Sequence, residues 1–102
     1  MINTQSLHFV RAARQLGLAA RAADLVVPAF RSPPRDTQAL RTIKRLPGGP
    51  VVSVRLFGRD PAEVEHDMVE GVIVANRLQG EAAARVRATL RRSLADVRAA
   101  AA

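Results

Sequence analysis

The stretch that decides the fold is LRTIKRLPGGPVVSVRLF, residues 40–57. Two strand-like runs, Leu40–Leu46 and Val51–Phe57, flank Pro47-Gly48-Gly49-Pro50, whose glycines can supply the positive φ of a tight turn. In the second run, apolar side chains occupy every other position, as in a strand with one buried face: these are Val52, Val54 and Leu56. The stretch therefore predicts a β-hairpin over residues 40–57.

A further short strand is predicted upstream, over residues 29–32. Pro28 disfavours continuation of the preceding helix, and Pro33-Pro34 ends the extended stretch. We expect this segment to add to one edge of the hairpin, which would give a small antiparallel sheet. The residues that follow, 36–39, suit either a loop or a single helical turn.

Three helices are predicted around this sheet, near residues 5–24, 60–78 and 81–99, because apolar residues recur there at spacings of three and four. The predicted fold class is thus α+β, with three helices packed on a small sheet. The expected core draws on all of these elements: Phe9, Leu16, Val52, Val54, Leu56, Val64, Met68, Val72, Leu90 and Leu94.

The second helix has the clearest start. Asp60 can cap it, Pro61 suits the first helical position, and Glu63 stands where a capping box places its acid. From Val69 onward this helix is apolar on nearly all sides, which predicts burial between neighbours. Residues 72–74 would also suit a short strand, and periodicity leaves both interpretations open.

Length and composition set the broad class. The 102 residues suit a single domain, residues 1–102, with residues 99–102 predicted to fray. Cys is absent, which excludes disulfide scaffolds, cysteine nucleophiles and thiolate metal sites. Neither a basic leader followed by an apolar stretch nor an apolar run near the length of a membrane span is present. We therefore expect a cytoplasmic protein with no membrane partner.

The charge is strongly positive and unevenly distributed. Sixteen Lys and Arg against nine Asp and Glu give a formal net charge of +7. Residues 31–59 hold seven cations and only Asp36, whereas residues 60–80 hold five acids and only Arg77. A basic segment of this kind favours polyanionic partners. Pairing with the acidic segment that follows would explain the same pattern.

Two functions from different classes follow from this pattern. In the first, the basic hairpin contacts the phosphates of DNA or RNA without catalysis, through Arg41, Lys44, Arg45, Arg55 and Arg59. In the second, the protein is an interaction or homo-oligomerisation module that uses the third helix and the apolar half of the second. Residues 10–27 resemble a helix-turn-helix, with Gly17 at the turn and the hairpin as its wing.

Other chemistry has weaker support in the sequence. Glu63, His66, Asp67 and Glu70 share one helix face and invite a metal hypothesis, but no second acidic cluster accompanies them. No serine lies in a nucleophile motif, and Gly48-Gly49 lacks the Lys-Ser/Thr of a phosphate loop. The sequence therefore predicts a protein that is not an enzyme and has no cofactor.

Overall fold

The computed structural model describes residues 4–34 and 39–101. Its elements follow the predicted order and confirm an α+β fold: α1 (Thr4–Ala22), β1 (Ala29–Arg31), β2 (Arg41–Leu46), β3 (Gly49–Val54), α2 (Pro61–Ala75) and α3 (Gly80–Ala101). α3 includes residues 99–101, which were predicted to fray. Residues 35–38 lie outside the described residues, and they include three of the four residues, 36–39, for which a loop or a helical turn was left open.

The three strands form one sheet in the order β1-β3-β2. β2 and β3 pair antiparallel, as the hairpin prediction requires. β1 pairs with β3 in parallel, so the sheet is mixed and the predicted antiparallel sheet is wrong in this respect. Residues 32–48, which include β2, supply the long crossover that parallel pairing needs.

The hairpin turn is tighter than predicted. Leu46 pairs with Gly49, so only Pro47 and Gly48 lie between the strands. Gly49 has a φ of 112°, a backbone conformation that side chains disfavour. β3 consequently begins at residue 49 and ends at residue 54, and the N–H of Arg55 extends the ladder by one bond to the carbonyl oxygen of Leu40 (3.0 Å).

The helices cover one face of the sheet. Val52 and Val54 on β3 are fully buried beneath them, and Ile43 and Phe30 on the flanking strands pack against the same core. All ten predicted core residues are buried. α2 lies directly on the sheet, where Gly71 allows a close approach: a Cβ built on it would stand 2.6 Å from Cγ1 of Val52.

α1 and α2 end in the same way, each earlier than predicted. In both, a residue with positive φ follows the helix, Asp24 (62°) after α1 and Arg77 (54°) after α2. The next N–H then reaches back to a carbonyl five residues earlier, from Leu25 to Ala20 and from Leu78 to Ile73. These are Schellman motifs, built here without glycine.

Two alternatives left open by the sequence are resolved. α1 runs without interruption through Gly17, so the resemblance of residues 10–27 to a helix-turn-helix is wrong. Residues 72–74 are helical and belong to α2. Both outcomes follow from packing, because the apolar faces of α1 and α2 continue over these positions into the shared core.

Candidate nucleic-acid interface

β2 places its cations on both faces of the sheet. Its inward positions pair with buried positions of β3, Arg41 with Val54 and Ile43 with Val52. Arg41 and Arg45 therefore point toward the helix side. Since side chains alternate along a strand, Lys44 points to the opposite face, which none of the described helices covers. The predicted site residues on β2 therefore lie on two different faces of the sheet, Arg41 and Arg45 on one and Lys44 on the other.

Arg59 does not belong to an accessible basic surface. Its side chain is 9% exposed, and its Nη1 lies 2.7 Å from Oδ2 of Asp67. A second carboxylate, Oε2 of Glu63, lies 3.6 Å from its Nε. Glu63 also accepts from the backbone N–H of Asp60 (3.3 Å), which is one half of the predicted capping box. Arg59 is therefore neutralised by the first turns of α2.

Arg41 and Arg45 are exposed but partly engaged by α2. Nη2 of Arg45 donates to the carbonyl oxygen of Ala75 (3.0 Å), which lies at the C-terminal end of the helix where cations are favourable. Arg41 lies near Glu70. The pKa of Glu70 is lowered chiefly by its hydrogen bonds from Arg87 and by that cation's charge, with smaller contributions from His66 and Arg41.

The face of the sheet opposite the described helices carries cations that form no ion pair with the acids of α2. Arg31 on β1 pairs with Ser53, and Thr42 on β2 pairs with the same residue from the other side. Lys44 lies two positions beyond Thr42, so all four side chains share this face. Arg55 follows β3 on the same side, and its Nε is buried without a hydrogen-bond partner among the described residues.

Sequence reasoning missed Arg31 as a site residue. The residue lies in the predicted edge strand, but only the parallel register of β1 brings it beside Ser53. We call Arg31, Thr42, Lys44, Ser53 and Arg55 the basic sheet face. Within residues 4–34 and 39–101, no acidic side chain comes within 4.0 Å of the cations of this face, or of Arg41 or Arg45.

The acids of α2 are engaged on the helix side instead. Glu70 receives two N–H bonds from Arg87 of α3, at 2.8 and 2.9 Å. Glu65 is buried, with Oε2 at 2.7 Å from Nε2 of His8 on α1 and Oε1 at 3.3 Å from Nη2 of Arg98 on α3. Glu65 thus joins all three helices. The α2 acids stabilise the helix layer and leave the basic sheet face positive.

The metal hypothesis gains no support from this arrangement. Glu63 and Asp67 contact Arg59, and Glu70 contacts Arg87. No group of three or more His, Asp or Glu side chains in the described part of the chain is placed to hold a metal ion. The same acids therefore act as ion-pair partners.

The surface that the alternative function requires is largely occupied. Val69, Val72 and Ile73 of α2 are buried, and Leu90 and Leu94 of α3 pack in the same core. These side chains are buried within the chain's own fold. Val74 remains exposed at 48%.

The Glu70–Arg87 pair provides a test of the ion-pair assignment. Glu70→Gln should destabilise the protein at neutral pH, because it replaces the carboxylate that both Arg87 donors reach. The lowered pKa of Glu70 means that its contribution is present above the ordinary value of 4.5 and is lost as the pH falls through the folded-state pKa. The urea midpoints of variant and wild type should therefore converge in acid.

Glu81→Gln is the matched control for this experiment. Glu81 and Arg85 are 3.8 Å apart and both are largely exposed, so their pair contributes little. The control should shift the urea midpoint only slightly at any pH. A Glu70→Gln deficit of constant size from neutral pH to well below 4.5 would contradict the assignment.

Comparison with known proteins adds no family. No protein-family model, curated protein or solved structure matches this chain. Among the helices of the described residues, none has the length and apolar character needed to cross a bilayer. The basic sheet face is therefore the feature from which a function can be inferred.

Proposed function

We propose that the protein binds the sugar-phosphate backbone of nucleic acids, without catalysis, through the basic sheet face and the cationic edge strand β2. The observation that carries the proposal is the separation of charge across the sheet. The cations Arg31, Lys44 and Arg55 lie on the side opposite the described helices, and the three strands contain no acidic residue. The acids of α2 are engaged by other cations on the helix side.

Recognition by this surface would be of phosphate rather than of base sequence. Base-selective binding to single strands uses exposed aromatic rings on which bases stack. Phe30 is the only aromatic residue in the strands, and it packs against the core. The basic sheet face instead offers guanidinium and ammonium groups beside hydroxyls, which are donors suited to phosphate oxygens.

The proposal is tested by binding of fluorescein-labelled single-stranded and duplex oligonucleotides, followed by anisotropy between about 50 and about 200 mM NaCl. Affinity should fall steeply with salt and vary little with sequence. Arg31→Glu with Lys44→Glu should weaken binding at least about tenfold and flatten the salt dependence by about two phosphate contacts.

The matched control reverses two charges far from the sheet. Arg85→Glu with Arg92→Glu changes the net charge equally, on exposed positions of α3, which packs against α1 and α2. This control should retain most of the affinity. Equal loss in both double variants would mean that only net charge matters. Absence of binding by the wild type, with a mass that rises with concentration, would support the interaction module instead.

A further inference from the structure

A row of polar side chains on the basic sheet face is suited to binding a single phosphate group. This inference rests on the proposed function. Arg31, Ser53 and Thr42 form a row across the three strands, each paired with the next in register. Neighbouring strands lie about 4.8 Å apart, so the row spans about 10 Å. Lys44 flanks the row, about 7 Å along β2 on the same face.

This row lies in a depression rather than on a flat surface. The depression has a volume of about 260 Å³, and its lining residues are Arg31, Pro33, Pro34, Ala39, Thr42, Lys44 and Ser53. Pro33 is buried, which fixes one wall beside the sheet. Among the described residues that line the depression, the charged and hydroxyl side chains all come from the strands.

The donor groups that line the depression have no side-chain partner among the described residues. Neither the Thr42 nor the Ser53 hydroxyl makes a side-chain hydrogen bond within residues 4–34 and 39–101. Arg31 and Lys44 likewise have no acidic partner within these residues. Among the described residues, two positive charges and two hydroxyl donors therefore line one concave site, and no acidic side chain pairs with either charge.

We propose that this depression binds one phosphate group, with Arg31 and Lys44 supplying charge from either side and the Thr42 and Ser53 hydroxyls donating from the floor. A carboxylate has two oxygens in one plane, whereas the oxygens of a phosphate group form a tetrahedral set, with three non-bridging oxygens at a strand terminus or two beside the two ester oxygens of a phosphodiester. A forked guanidinium, an ammonium and two hydroxyls match the second set better. The phosphate is either an internal phosphodiester or a terminal phosphate of a nucleic-acid strand.

The decisive variant removes the hydroxyls and leaves every charge in place. Thr42→Val with Ser53→Ala should weaken binding of a single-stranded oligonucleotide about tenfold, because hydrogen bonds to a charged group are lost. The salt dependence should be unchanged, since no cation is removed. Thr42→Ser with Ser53→Thr keeps both hydroxyls and should restore most of the affinity. Urea midpoints of all variants check that the fold is retained.

Two further probes identify the source of the phosphate. Inorganic phosphate should shift the backbone amide resonances of Thr42, Lys44 and Ser53 in the wild type more than in Thr42→Val with Ser53→Ala. Oligonucleotides with and without a 5′-terminal phosphate separate the two sources. Tighter binding of the phosphorylated strand means that the site binds a terminal phosphate. Equal binding means that it binds internal phosphodiesters.

The outcomes separate this inference from the proposed function. If the hydroxyl-free variant binds as tightly as the wild type while Arg31→Glu with Lys44→Glu does not, phosphate is attracted diffusely. The proposed phosphate site is then wrong, and the proposed function stands. If inorganic phosphate shifts these resonances but no nucleic acid binds, the phosphate site is supported and the proposed function is wrong. If inorganic phosphate shifts none of these resonances and no nucleic acid binds, both proposals are wrong.

Discussion

Leu16→Ala is expected to lower the free energy of unfolding by about 2–5 kcal/mol, the range for deleting a fully buried leucine side chain. Leu16 has no exposed surface and lies in the cluster in which α1, α2, α3 and β3 meet. A domain of this size is stable by only about 5–15 kcal/mol, so a substantial fraction of its stability should be lost. Equilibrium urea denaturation followed by circular dichroism measures the change.

Leu18 gives the matched control two residues along the same helix. Its side chain is 56% exposed, so Leu18→Ala removes few contacts and should change stability by less than about 0.5 kcal/mol. The comparison also tests the continuity of α1 through Gly17, because a turn at that glycine would change which leucine faces the core. Similar losses for both variants would contradict the packing of α1 described above.

Gly71→Ala is expected to destabilise the protein by about 1–3 kcal/mol, although alanine is the better helix former. Replacement of glycine by alanine inside a helix otherwise stabilises it by up to about 1 kcal/mol. At residue 71 the new methyl group would stand 2.6 and 3.0 Å from the two γ-carbons of Val52, which is fully buried and branched at Cβ. α2 would have to move away from β3.

A double-mutant cycle separates this clash from other effects. In a Val52→Ala background the γ-carbons are gone, so Gly71→Ala should become neutral or stabilising, with a coupling energy of about 1–3 kcal/mol. Gly17→Ala is the control within α1, because among the described residues its Cβ would meet only Cγ1 of Val27, at an ordinary 3.5 Å. Additive losses in the cycle would rule out the close approach of α2 to the sheet.

The parts of the fold that depend on local pattern could be predicted from the sequence. The alternation from Val52 to Leu56 and the Asp60-Pro61 start of α2 each specify their own structure, and both are observed. The direction of β1 could not be predicted, because three residues carry no signal for parallel or antiparallel pairing. Helix ends at Asp24 and Arg77 were missed, since a Schellman motif is normally recognised by its glycine.

The candidate site was only partly predictable for a related reason. Strand alternation places Lys44 on the face opposite to Arg41 and Arg45, but alternation within β2 does not show which of the two faces the helices cover. Arg59 is the last cation of the basic segment, yet Asp67 of α2 neutralises it. Arg31 belongs to the site because β1 lies next to β3 in the sheet. This strand order depends on contacts between distant parts of the chain.

The antiparallel packing of α1 against α3 gives the molecule two distinct poles. The side chain of Gln5, near the start of α1, donates to the carbonyl oxygens of Leu56 and Arg59, and Arg98, near the end of α3, contacts Glu65 in the same region. The hairpin tip at Gly48 lies at the other pole, beside Arg21 near the end of α1. A tether attached before α1 or after α3 would therefore leave the hairpin tip pointing away from its anchor.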